Sequence, residues 1–191
     1  MSPRASSYNT IIDAAEAVVI EAGASHMTLD AVATKAGVSK GGLLHHFPNK
    51  VALLAAMVER QITFHQDARK KVLKNMPKGP CRELKSYIIA AQNRDPMHDR
   101  LGASMSAAVS HDPHLSEPIR KVVRESYMKF TESGMGFERA AIIALAVDGM
   151  RLQEMLSISP FNDEHRLRIF DELLHLVDEL REKKNKRQKD E

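Results

Sequence analysis

The side chains in this chain best placed to do chemistry lie between Val38 and Lys50, in the stretch VSKGGLLHHFPNK. It carries a hydroxyl and an ammonium (Ser39, Lys40), adjacent glycines (Gly41, Gly42), adjacent imidazoles (His45, His46) and a second ammonium (Lys50). These groups donate hydrogen bonds and meet anions; no acid, base and nucleophile stand together among them as covalent catalysis would require. If the stretch is helical, each interior glycine costs roughly 1 kcal/mol relative to alanine. A short helix carries that cost where its backbone must come close to something. A DNA duplex fits, with Ser39 and Lys40 reaching phosphates or base edges and the glycines allowing close approach. His45, His46 and Lys50 would lie along the flanking backbone. A competing reading stays open at this level: glycines that only let helices pack, beside ordinary surface histidines.

Other candidates are weaker. His111-Asp112-Pro113-His114 offers three possible metal ligands, with His65 and His98 elsewhere. Pro113 breaks the spacing of a helical ligand pair, and the single Cys81 can build neither a thiolate site nor a disulfide framework. No metal and no cofactor is expected. GASMS around Ser104 lacks the strand-turn-helix setting of a strained nucleophile elbow, so an enzyme is not expected.

Composition agrees. The 191 residues are 43% hydrophobic and 28% charged, which suits a soluble globular protein. The apolar run Ala140–Val147 is far below the ~20 residues that span a bilayer. No signal-like segment opens the sequence, and these features together predict a bacterial-type cytoplasmic protein without a membrane partner. The net charge of +3 resides in the last residues, REKKNKRQKDE, leaving 22 cationic and 22 anionic residues in the rest. A nucleic-acid surface must therefore come from local placement of charge.

The elements that would hold these residues are all helical. Apolar residues at Ile11, Ile12, Ala15, Val18, Val19 and Ala22 keep helical spacing until Gly23. Thr28 can cap a second helix with Asp30 in its first turn, where the helix dipole favours negative charge. That helix ends at Gly37. Ser39 caps a third, with Val38, Leu43 and Phe47 turned to the first two helices. After Pro48, Asn49 caps a fourth helix over about 50–75, a rod of roughly 39 Å. Further helices are predicted at about 81–93, 98–110, 114–133, 137–157 and 163–184, with no strand-type alternation. Helices two and three, joined by the glycine-containing turn AGVS, form a helix-turn-helix over about 28–47.

The segment MTLDAVATKAGVSKGGLLHHFPNKVALLAAM, Met27 to Met57, resembles the DNA-binding domain of the TetR family of transcriptional regulators. The resemblance extends weakly back through IIDAAEAVVIEAG. It implies a DNA-binding domain at 1–52, helix four as a link, a ligand-binding and dimerisation domain at 53–184, and a basic frayed tail at 185–191. It also implies that Thr28 touches phosphate, that Ser39, Lys40 and Gly41 face the major groove, and that His45 and Lys50 meet the backbone. Leu44 stands where the family usually has Tyr. A phenol can donate to phosphate and Leu cannot, so Leu44 would touch a thymine methyl or cover the helix.

The expected function is a homodimeric repressor on a pseudo-palindromic double-stranded operator, released by a small organic ligand. An activator or architectural DNA binder without a switch is the alternative. The dimer would form through the last two helices, by Ile142, Leu145, Met150, Leu167, Phe170, Leu174 and Val177, as a four-helix bundle. Met side chains repack readily, and Met97, Met105, Met128 and Met150 with Phe64, Tyr87 and Tyr127 are the expected lining of an apolar pocket.

Overall fold

In a computed structural model the described residues are 3–93, 95–131 and 135–187. They form α1 (Pro3–Ala22), α2 (Leu29–Ala36), α3 (Lys40–His46), α4 (Lys50–Asn75), α5 (Arg82–Gln92), α6 (Pro96–His111), α7 (Pro113–Thr131), α8 (Phe137–Met155) and α9 (Asp163–Arg187). There is no strand among them, and no helix is long and apolar enough to cross a membrane. Pro96 and Pro113, just ahead of the helices expected from about 98 and 114, are the first residues of α6 and α7. Proline suits that position, since its missing N–H would have no partner in the first turn and its fixed φ is already helical. Helix α9 runs to Arg187, past its expected end near 184. Of the expected tail, residues 188–191 lie outside the described residues.

The chain forms two compact units, and they do not follow the linear boundary expected near residue 52. The first comprises residues 1–63 and 96–121, the second 64–95 and 122–191. The physical reason for the discontinuity is core packing. Leu101 and Met105 of α6 and Leu115 of α7 are buried with Ile11, Val19, Val32, Leu43, Leu53 and Met57 of the N-terminal helices. The backbone N–H of Ala24 also donates to the Ser104 carbonyl at 3.4 Å. The expected inner face of α1 is buried from Ile11 to Val19, while Ala22 at its end is exposed.

In the second unit α5 packs on α8 and α9. Its core gathers Leu84 and Ile88 of α5, Phe130 of α7, Ala140, Ile143, Ala144, Val147 and Met150 of α8, and Phe170, Leu173 and Val177 of α9. Arg166 is buried beside this core. Its Nε donates to Glu154 Oε1 at 2.6 Å, and its Nη atoms donate to the Ala91 and Gln92 carbonyls at 2.8 and 2.9 Å. These carbonyls end α5, where no later turn supplies N–H partners. The guanidinium also lies 4.8 Å from the Phe170 ring centroid.

Candidate nucleic-acid interface and the C-terminal polar cluster

Local backbone chemistry builds the first site. Thr28 has an extended backbone, and its Oγ1 accepts the Ala31 N–H at 3.1 Å, starting α2. At the other end Gly37 takes φ 67°, the left-handed conformation that glycine adopts without a Cβ penalty. Its N–H bonds Thr34 O at 3.2 Å and the next N–H, from Val38, bonds Ala33 O at 3.1 Å. This pair of bonds closes α2 and turns the chain. Ser39 then starts α3, its Oγ accepting the Gly42 N–H at 3.1 Å. Asn49 does the same for α4, with Oδ1 accepting from Ala52 at 2.8 Å. Leu43 and Phe47 anchor α3 inward, at 0% and 3% exposure.

The outer face of α3 carries the candidates. Ser39, Lys40, Gly41, Leu44 and His45 are exposed, as is Thr28. A Cβ added to Gly41 would meet no atom within 4 Å, so helix packing within this chain does not explain that glycine. At Gly42 the Cβ would come 3.2 Å from Ser39 Oγ, so the second glycine protects the cap. His46 is half-buried, edge-on to Tyr8 with ring centroids 6.1 Å apart. Lys50 is half-buried too, and its Nζ donates to the Ser25 carbonyl at 2.9 Å, tying α4 to the turn after α1. Two N–H donors of an ammonium remain after such a bond. Lys40 Nζ lies 3.0 and 3.1 Å from the two carboxylate oxygens of Asp30. From the sequence Asp30 had only a helix-dipole role.

Of the residues expected to line one pocket, Met150, Tyr87 and Tyr127 share one cluster and the others lie elsewhere. Met105 is in the core of the first unit at 3% exposure, because α6 packs there. Met97 and Met128 are exposed, at 55% and 57%, and Met150 is in the core of the second unit. Tyr87 and Tyr127 do converge, their ring centroids 5.1 and 5.8 Å from that of buried Phe130. Both phenols donate to Asp148, Tyr127 to Oδ2 at 2.8 Å and Tyr87 to Oδ1. Burial, followed by the neighbouring Asp148 carboxylate, pushes both phenols above the ordinary tyrosine range and keeps them neutral donors. One turn on, Arg151 approaches His65 Nε2 at 3.3 Å; Phe64 stacks edge-on against His65 at 5.4 Å. Arg69 lies 4.9 Å from the Phe130 centroid and bonds Glu83 at 2.5 Å and Ser86 and Ser126 at 3.2 Å each. Sequence reading passed over Asp148, Arg151 and Arg69. The available signal was the pair Asp148 and Arg151, which follows the apolar run Ala140–Val147 of α8.

The expected dimer residues also divide. Met150, Phe170 and Val177 are buried in the chain's own core, at 9%, 0% and 0%, and Leu174 packs against it. Met150, Phe170 and Val177 therefore have little surface left for a second chain, whereas Leu174 keeps partial exposure. Ile142, Leu145 and Leu167 remain exposed at 65%, 59% and 47%. Leu152 joins Ile142 and Leu145 on α8, and Ile158 and Phe161 follow in the connection to α9. The His111–His114 motif makes a helix start: Asp112 Oδ1 accepts the His114 N–H at 2.9 Å, opening α7.

Comparison with known proteins matches residues 11–57 to the bacterial regulatory proteins of the tetR family and residues 82–178 to the tetracyclin repressor-like C-terminal domain. The chain belongs to the TetR family. It is a TetR-family, DNA-binding transcriptional regulator. The Tn10 TetC protein of Escherichia coli is 35% identical over 57 residues, a match that spans 30% of this chain and 29% of TetC. Two solved structures share the TetR-type fold along most of both chains. One, a Saccharomonospora viridis protein in complex with choline, is 13% identical with a TM-score of 0.74, over 90% of this chain and 96% of its own. The other, the multidrug binding protein EbrR complexed with ethidium, is 20% identical with a TM-score of 0.63, over 91% and 99%.

Proposed function

We propose that this regulator acts in the cytoplasm as a homodimeric repressor that holds a pseudo-palindromic operator and leaves it when a small organic ligand binds. It is a reader of DNA and a sensor, without catalysis of its own. The observation that carries the DNA half is the open strip on α3. Gly41 has empty space where its Cβ would be, and exposed Ser39, Lys40, Leu44 and His45 surround it. Thr28 and Lys50 keep hydrogens for phosphate beyond their bonds to Ala31 and Ser25. The DNA-reading part lies within residues 1–52.

The sensing and dimerising parts lie within 53–184, in its segments 64–95 and 122–184 that belong to the second unit, with α4 as the link. Asp148, Arg151 and the two tyrosines are polar groups set against aromatic surface, the mixture that orients small ligands. That choline and ethidium are bound by proteins of the same fold is consistent with such a role. The α8 stripe of Ile142, Leu145 and Leu152, with Leu167 of α9, is the surface for the second chain. A homodimer carries two recognition helices, and successive major grooves of one duplex lie about 34–36 Å apart. Both α4 and α7 begin in the first unit and end in the second. A ligand must favour one arrangement of these helices over another to shift DNA affinity, since only differential binding moves the equilibrium.

The test begins with selection of duplexes from a random pool, followed by titration of the winner at two salt concentrations with and without choline and ethidium as first probes. A two-fold-symmetric site, bound far more tightly than pool DNA, supports the dimeric reader. Weak binding with strong salt dependence and no shared sequence would reduce the interaction to phosphate attraction. A small-molecule screen in which every compound that binds the protein leaves operator affinity untouched would refute the switch.

A further inference from the structure

We propose that Asp30 is a specificity-determining residue of the DNA interface, holding Lys40 in the free protein and opposing duplexes that offer Lys40 no strong acceptor. The inference rests on the reading of α3 as the DNA-facing helix. Lys40 opens α3, between exposed Ser39 and exposed Gly41. Its ammonium lies against both oxygens of the Asp30 carboxylate, at 3.0 and 3.1 Å, across the turn from the first turn of α2. Both side chains remain well exposed, at 60% and 69%. A pair so open to water is weak and screened by salt, so it exchanges readily and contributes little to holding the fold.

The consequence falls on DNA choice. A face that must meet phosphates carries a carboxylate next to its leading cation. On a random duplex, Lys40 gains a phosphate but gives up Asp30, whose charge then stands bare beside a polyanion. On a site with guanine under Lys40, the O6 and N7 acceptors offer a better exchange, and a neighbouring cytosine or adenine amino group can serve Asp30 in turn. The carboxylate thus lowers affinity for DNA in general more than affinity for the right site. Selectivity is built by opposing the wrong partner as well as attracting the right one.

The experiment compares the wild type, Asp30→Asn, Asp30→Glu, Lys40→Ala and the Asp30→Asn/Lys40→Ala pair. Each is titrated on the selected duplex and on a random duplex of equal length, at several salt concentrations. Asp30→Asn is expected to bind the random duplex about three- to tenfold tighter, with a salt slope steeper by roughly one contact. Its affinity for the selected site should change less, so the ratio between the two falls. Asp30→Glu keeps the carboxylate and should retain the wild-type ratio. In the Lys40→Ala background the effect of Asp30→Asn should shrink to that of a distant surface charge. Equal tightening with and without Lys40, or an unchanged ratio in Asp30→Asn, overturns the proposal. If the wild type binds neither duplex above background, the DNA-facing reading of α3 fails and the proposal fails with it.

Discussion

The glycine pair of α3 allows stability and function to be separated by one methyl group. Gly41→Ala adds a Cβ into space with no neighbour within 4 Å, on a residue already in helical conformation. Replacing glycine by alanine in a helix gains about 0.5–1 kcal/mol by restricting the unfolded chain. For a chain of this size that corresponds to a rise in Tm of roughly 1–4 °C. Gly42→Ala makes the contrast. Its Cβ would meet Ser39 Oγ at 3.2 Å, and that oxygen holds the α3 cap at 3.1 Å from the Gly42 N–H. A disturbed cap costs typically about 1 kcal/mol, which cancels or reverses the propensity gain. The two variants should therefore differ in sign or nearly so, though their chemistry is the same. Function should run the other way for Gly41. If DNA lies against that open strip, one methyl group holds the backbone off the groove, and operator affinity should fall about tenfold or more, some 1.4 kcal/mol. Thermal unfolding followed by circular dichroism, at one protein concentration, gives the first quantity; fluorescence anisotropy on the selected duplex gives the second. A Gly41→Ala protein that is more stable and binds its operator as tightly as the wild type would refute the placement of DNA on this face. A destabilised one would show that Gly41 serves the fold.

Three further outcomes follow from the same physical reasoning. Arg166→Ala should lower the stability of the second unit by about 3–5 kcal/mol, because it leaves the buried Glu154 carboxylate without its guanidinium and two α5 carbonyls without donors. Urea unfolding measures it, and Arg166→Met with Glu154→Leu should recover part of the loss; a midpoint shift worth under about 1 kcal/mol would contradict this account of the pair. Ile142→Glu with Leu145→Glu places two charges on the exposed α8 stripe and should give a folded monomer that loses cooperative operator binding; sedimentation that still shows a dimer would move the interface elsewhere. Glu16 is held above the ordinary carboxylate value of 4.5 chiefly by burial, with Arg60 opposing and Asp13 adding to the rise. Its folded pKa is raised, so its stabilising contribution is complete below about 4.5 and is lost as pH rises through the folded value. Glu16→Gln should accordingly flatten the decline of stability just above 4.5, a change visible in melts taken across that range; an unaltered pH profile would assign the decline to other groups.

What could be read from the sequence was local. The caps at Thr28, Ser39 and Asn49, the left-handed turn at Gly37 and the helical spacing from Ile11 to Val19 are set by residues within four or five positions of one another. A side-chain oxygen three residues before an amide, or a glycine where φ must be positive, acts the same way in almost any surrounding. The helix-turn-helix was therefore legible, as was the exposure of Ser39, Lys40 and Gly41 that follows from its geometry. Periodicity also gave the number and order of the helices. It could not tell which apolar stripe of α8 turns inward, because Ile143, Val147 and Met150 are no more apolar than Ile142, Leu145 and Leu152. Only the position of α5 and α9 decides that. For the same reason the sequence could not put Met105 in the N-terminal core, which depends on α6 lying against α1. The cluster around Asp148 was beyond it as well, since Tyr127 and Tyr87 reach that carboxylate from 21 and 61 residues away. Contacts over such separations carry no period along the chain. They are fixed by burial energy summed over whole helices, and that sum is settled only when the chain has folded.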